Sequence, residues 1–170
     1  MLRLLGAALV IGGGAWAGLG AAGELEGRAK ALDAWADALE LMESELSFRL
    51  SAMPELTGRL SHSARSPAKE VFMAVQKGLE RLGEAPFEEL WREALTVHPG
   101  PLKEEELNVL LALGAVLGRY GWEDQCRSLE GARQSLRERS AQVREELRQK
   151  GKAYAALGVS LGAFLTILLL

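Results

Sequence analysis

The sequence predicts an all-α protein, a bundle of about six helices held between two transmembrane helices. Three observations lead there. Leu4 to Ala22 is a run of 19 residues without a charge, and Ala153 to Leu170 is a second of 18. As helices these span ~28 and ~27 Å, close to a hydrocarbon core of ~30 Å. The residues between them hold every acidic group and every basic group except Arg3. In that middle, Val and Ile are scarce, nothing alternates apolar with polar over a strand length, and Ala, Leu, Glu and Arg dominate. The expected organisation is an N-terminal transmembrane helix (1–22), a cytoplasmic helical domain (23–152) and a C-terminal transmembrane helix (153–170).

The N-terminal run has a second reading. Arg3, the apolar stretch and Gly20-Ala21-Ala22-Gly23 also fit a secretory leader with a small-residue cleavage site. Its length exceeds the usual leader core and favours a retained anchor. Arg148, Lys150 and Lys152 directly precede the second run, and Arg28 and Lys30 follow the first. Basic residues flank spans on the cytoplasmic side, which places the middle domain there.

From Glu24 to Leu50, Leu25, Leu32, Leu39 and Leu46 recur every seven residues, with Trp35 and Met42 between and Ala29 and Ala36 beside them. That is one apolar stripe on a long helix, with Glu43, Glu45 and Arg49 on the wet side. Pro54 suits a first turn and no interior, so the long helix stops near Ser51 and a short one covers 54–61. Ser61 to Arg65 reads as a loop. Ser66 before Pro67 reads as an N-cap with proline at the first helical position. The helix to Leu82 carries Val71, Phe72, Val75 and Leu79 on one face, and Gly83 ends it. Pro86 opens the next, with Phe87, Leu90, Trp91 and Leu95 as its apolar face.

His98-Pro99-Gly100-Pro101 breaks the chain again. Glu104, Glu105 and Glu106 then sit where a helix N-terminus favours acids. Leu107, Leu110, Leu111, Gly114 and Leu117 form that helix's stripe, and Gly118 to Gly121 makes a turn. The last helix starts near Trp122 and carries Cys126, Leu129, Ala132, Leu136, Val143 and Leu147 along one side. Each arm joining the domain to its span is about 28 residues, or ~42 Å. The two arms are expected to lie antiparallel, with helices 54–118 capping their far end.

Composition narrows the function. The chain has 170 residues, a net charge of −3, one cysteine and two histidines. A single cysteine excludes an internal disulfide, a CxxC pair and a cysteine zinc site. His62 and His98 have no second ligand at metal spacing and read as surface histidines, and Cys126 reads as a buried structural thiol. The mild acidity argues against nucleic acid. No nucleophile has a visible base beside it, so the sequence points away from an enzyme and implies no cofactor or metal. Arg133, Arg137, Arg139, Arg144 and Arg148 are interleaved with acids and read as a solvated face. Gly14 and Gly18, and Gly158 and Gly162, form GxxxG patterns that let helices approach closely, although glycine is common in membrane helices in any case.

Several stretches carry a family resemblance: Leu39-Glu40-Leu41-Met42-Glu43-Ser44-Glu45-Leu46, Met53-Pro54-Glu55-Leu56, and Leu90-Trp91-Arg92-Glu93-Ala94-Leu95. Leu110 to Gly118, Glu123-Asp124-Gln125 and Lys152 to Gly158 continue it. Together they resemble the stage III sporulation protein AB family of endospore-forming bacteria over nearly the whole chain. The resemblance implies a subunit of the channel complex between mother cell and forespore, in the mother-cell membrane around the forespore. It implies a helical domain similar to the inner-membrane platforms of type II secretion and type IV pilus machines. Its implied partners are a sporulation motor ATPase and other channel subunits, and it allows a homo-oligomer. The contact residues expected on this reading are Glu43, Glu45, Glu123, Asp124 and Gln125. A membrane-anchored adaptor outside sporulation and an exported helical domain are the alternatives.

Overall fold

The computed structural model describes residues 20, 22–48, 53–79, 85–117, 119, 121–151 and 153; for residues 2–19, 21, 49, 152 and 154–169 it gives the helical backbone alone. Six helices follow in order: α1 (Leu2–Arg49), α2 (Met53–Ser63), α3 (Ala68–Gly78), α4 (Phe87–Val97), α5 (Glu104–Val116) and α6 (Trp122–Leu169). Among the described residues there is no strand. The chain divides into two compact units, Arg28–Ser140 and the pair Met1–Gly27 with Ala141–Leu170.

In the pair, Val143 is buried and Leu25 and Leu147 are half-buried. Among the described residues no helix is long and apolar enough to cross a membrane. Nearly all of the two runs expected to span lies outside the described residues, and so do Gly14, Gly18, Gly158 and Gly162.

The core of the larger unit is built on α1. The heptad leucines are buried as expected from Leu32 on, with Trp35 and Met42. So are Ala29, Ala31, Ala34, Ala36 and Ala38. Their positions cover more than half of the helix circumference and not one stripe, leaving Lys30, Asp37, Glu40 and Ser44 as its exposed side. Such a helix must be central. Trp35 meets Phe72 of α3 at 5.8 Å and Trp91 of α4 at 6.1 Å between ring centroids. All three rings are fully buried, and each contributes roughly 1.5–3 kcal/mol by leaving water.

This corrects the expected arrangement. The short helices do not cap the far end of the arms. They lie along α1, from Glu106 of α5 beside Arg28 to Arg59 of α2 beside Glu45. The alanines are the reason, because small side chains admit neighbours on faces beside the leucine stripe. α6 runs antiparallel to α1: Ser140 donates to Asp33 at 2.6 Å, and Cys126 lies 3.3 Å from Ser47.

Local boundaries also shift. α2 extends through Ser61, His62 and Ser63, the stretch expected as a loop. Ser61 is buried, its hydroxyl 2.8 Å from Gln76 of α3, so packing holds this turn helical. α3 begins at Ala68, and Pro67, not Ser66, occupies the N-cap position without a side-chain hydrogen bond. Ser51, Leu82, Gly83 and Gly118, read as ends and turns, lie outside the described residues. In α5, Leu113 joins Leu110 and Leu117 in the core, while Leu107 and Leu111 are half-buried.

Two glycines are dictated by space. Gly100 adopts φ +62°, and a Cβ there would meet Pro67 at 2.8 Å. A Cβ on Gly114 would lie 2.7 Å from Trp91 Cδ1. That closeness lets the Trp91 indole N–H donate to the Leu110 carbonyl at 2.7 Å, tying α4 to α5.

Candidate interaction site

The arginines of α6 are not simply a solvated face. Arg137 reaches Glu40 at 2.6 Å and Asp37 at 3.6 Å, both on α1. Arg133 approaches Glu40 at 3.9 Å and Glu43 at 3.6 Å. Arg139 reaches Glu105 of α5 at 2.9 Å. On the other flank, Arg65 pairs with Asp37. Exposed pairs of this kind give roughly 0.2–1 kcal/mol each, and as a row they fix register more than they stabilise.

One pair differs. Glu106 is 0% exposed and accepts three bonds from Arg28: Oε1 from Nε at 3.1 Å and from Nη2 at 2.5 Å, and Oε2 from Nε at 3.2 Å. Its second oxygen takes the Lys103 backbone N–H at 2.7 Å, so the same carboxylate caps α5. In the sequence, helix-start electrostatics suffice to explain Glu106. The missed signal is spacing: positions 106, 110, 113 and 117 share one helix face. An acid on an apolar face calls for a buried partner.

The residues expected to make contacts lie near the end of α1 and the start of α6, with Glu43 on the side facing Arg133 of α6 and Glu45 on the side facing Arg59 of α2. Ser47 and Cys126 touch at the junction of α1 and α6, with Glu43 and Glu45 within a turn on α1 and Glu123, Asp124 and Gln125 within a turn on α6. Glu123 and Asp124 are exposed, and Asp124 pairs with Arg127 at 3.1 Å. Glu43 and Glu45 are half-buried, Glu45 held by Arg59 at 3.2 Å. That arginine's pKa is raised, chiefly by its hydrogen bond to Glu55 and further by the charge of Glu45. Gln125 is turned inward, at 8% exposure. Cys126 is half-buried, more accessible than the core thiol expected.

Sequence reading did not single out the aromatic side chains of this junction. Phe48 is 86% exposed and Trp122 is 51% exposed. Beside Phe48 lies a shallow hollow of about 230 Å³, lined also by Glu40, Glu43, Ser44, Ser47 and Arg133. The Arg133 Nε there is buried and has no hydrogen-bond partner. Exposed aromatics ringed by carboxylates suit binding of a protein surface. Among the described residues no group of His, Cys, Asp and Glu is placed to hold a metal ion. His62 is exposed on α2, and His98 is half-buried at the end of α4.

The family model described as Stage III sporulation protein AB matches residues 3–170. A solved structure titled Stage III sporulation protein AB (SpoIIIAB) is similar in fold, with a TM-score of 0.65 at 19% identity. The similarity covers 72% of this chain and 97% of that one. No curated protein matches the sequence.

Proposed function

The chain belongs to the stage III sporulation protein AB family, and on that premise we propose that it is a non-enzymatic membrane platform of the mother cell–forespore channel complex. On this reading the apolar termini anchor it in the mother-cell membrane around the forespore, with the helical domain in the cytoplasm. There it couples a motor ATPase to channel subunits in the membrane. The observation that carries the reading is the course of α1 and α6. Each passes as one helix from an apolar terminal run into the larger unit (Leu2–Arg49 and Trp122–Leu169). A load taken up by the bundle therefore has a continuous helical path along the chain toward both termini. The junction of Glu43, Glu45, Glu123, Asp124 and Gln125 is the proposed docking face for the ATPase or a channel subunit. Phe48 and Trp122 serve as its anchors, and the GxxxG pairs Gly14/Gly18 and Gly158/Gly162 pack the two spans.

The test is affinity capture of the tagged full chain from sporulating cells. Recovery of a motor ATPase together with channel subunits is expected, and Phe48→Ala with Trp122→Ala reduces it. Recovery of neither overturns the platform reading. Carbonate washing is expected to leave the chain with the membrane, and its release would overturn the anchoring.

A further inference from the structure

We infer that the groove between α3 and α4 is a self-association surface that takes a second copy of this chain about a two-fold axis. The groove is about 340 Å³ in volume, and Ala74, Gly78, Leu90 and Ala94 form its mostly small, apolar floor. Its two rims are opposite in sign. On the α3 rim stands Lys77, while Lys69 and Met73 lie further round α3, beside the hollow that Ser61, His62 and Gln76 also line; all three are exposed. Along α4, Glu89, Glu93 and Val97 recur every fourth residue, and all three are exposed. Four-residue spacing puts this trio on one face of its helix.

Among the described residues these charges are not used in ion pairs. The carboxylate of α4 that forms ion pairs is Glu88, with Arg92 and Arg119. Lys69, Lys77, Glu89 and Glu93 take part in no ion pair among the described residues. Met73 and Val97 are two of the four large hydrophobic side chains that stand exposed there. Lys77, Glu93 and Val97 line the groove itself.

The charge pattern selects the occupant. A basic segment is repelled by the α3 rim, and an acidic one by the α4 rim. A surface with both signs in matching order is required, and the same groove turned through a two-fold axis along its length is one. That operation sets the Lys77 rim of each copy against the Glu93 rim of the other. It also sets Val97 of each copy over its partner's floor, which is small enough for close approach. Such an isologous contact is self-complementary by construction. It needs neither the ATPase nor the channel, so it stands or falls apart from the platform reading.

Sedimentation of the full chain in mild detergent tests it, with circular dichroism as the control for folding. The wild-type chain is expected to dimerise with concentration. Lys77→Glu and Glu93→Lys, both at exposed positions, each weaken association about tenfold or more, and the double swap restores it to within about threefold. Chains carrying Lys77→Cys mixed with chains carrying Glu93→Cys, both in a Cys126→Ser background, cross-link copy to copy, whereas chains carrying Glu123→Cys in the same background do not. A chain that stays monomeric, single swaps without effect, a double swap that fails to restore association, or cross-linking through position 123 instead of between 77 and 93 would each overturn the proposal.

Discussion

α1 and α6 are the same length, 48 residues each, yet they are built on different plans. Between Ala29 and Leu46, α1 buries side chains over more than half of its circumference, and half of the buried positions are alanine. α6 buries Gln125, Leu129, Ala132, Leu136, Ser140 and Val143, spaced three or four apart along one stripe, and sets arginines beside it. One is an axle and the other a strut. α1 touches α3 and α4 through aromatic rings, α5 through Arg28, α2 through Glu45 and α6 through Asp33. The difference teaches that a leucine heptad reports one contact face, while alanine density reports how many other faces are occupied.

The two plans respond differently to truncation. Trp35→Ala removes the ring that joins α1 to α3 and α4, and is expected to cost about 3–5 kcal/mol. Arg137→Ala on α6 loses exposed pairs only, and should cost under about 1 kcal/mol. Denaturant unfolding of the full chain measures both, and equal losses would break the distinction. Next in size is Glu106→Ala. It leaves Arg28, 13% exposed, without its carboxylate and removes the cap of α5. Breaking a buried pair from one side costs about 3 kcal/mol or more. Because Glu105→Ala removes an acid that is largely exposed, it should cost a small fraction of that.

Much of this was legible in the residues. Proline and glycine punctuation separated six helices, and the heptad of Leu32, Leu39 and Leu46 found the core face of α1. The antiparallel course of α1 and α6 followed from having an apolar run at each end of the chain. The side-by-side packing of the short helices was not legible as read, because Ala31, Ala34 and Ala38 fall off the leucine stripe and look neutral singly. Ser61 to Ser63 looked like a loop because serine propensity is local, while the contact of Ser61 with Gln76 spans 15 residues. At the junction, Glu43, Glu45, Glu123 and Asp124 were picked out as polar residues at element ends. Gln125, picked out with them, sits four before Leu129 on the buried face. Phe48 and Trp122 were passed over because an aromatic at a helix end reads first as core.

Glycine substitutions sharpen the contrast at smaller scale. Gly114→Ala drives a methyl into the Trp91 ring at the centre of the bundle, and is expected to cost about 1–3 kcal/mol. Gly131 lies on the exposed side of α6, and a Cβ there would meet nothing within 4 Å. Gly131→Ala should therefore stabilise the chain by about 0.5–1 kcal/mol through helix propensity. Thermal unfolding of the two variants should move in opposite directions. A loss in both would mean that the outer side of α6 is covered in solution.

The smallest effect concerns a stretch of α6 held by its own neighbours. The Arg148 guanidinium bonds both oxygens of Glu145, at 2.9 and 3.1 Å, and the Gln149 amide adds a bond at 3.1 Å. These bonds, Arg148's foremost, hold the Glu145 carboxyl below the ordinary glutamate range, and raise the pKa of Arg148 in turn. A carboxyl whose folded pKa is depressed contributes stability above its unfolded pKa and loses that contribution as pH falls through the folded value. The contribution here is small, because both side chains are largely exposed and salt screens them. Carbon NMR titration of the Glu145 carboxyl in the full chain should give a midpoint below that of an unpaired glutamate. Arg148→Gln should raise it most of the way back, Gln149→Ala by less, and added salt should narrow the gap. If Arg148→Gln leaves the midpoint unmoved, this part of α6 is not held by its own local pairs, and the contrast with α1, held by neighbours over most of its surface, loses its outer half.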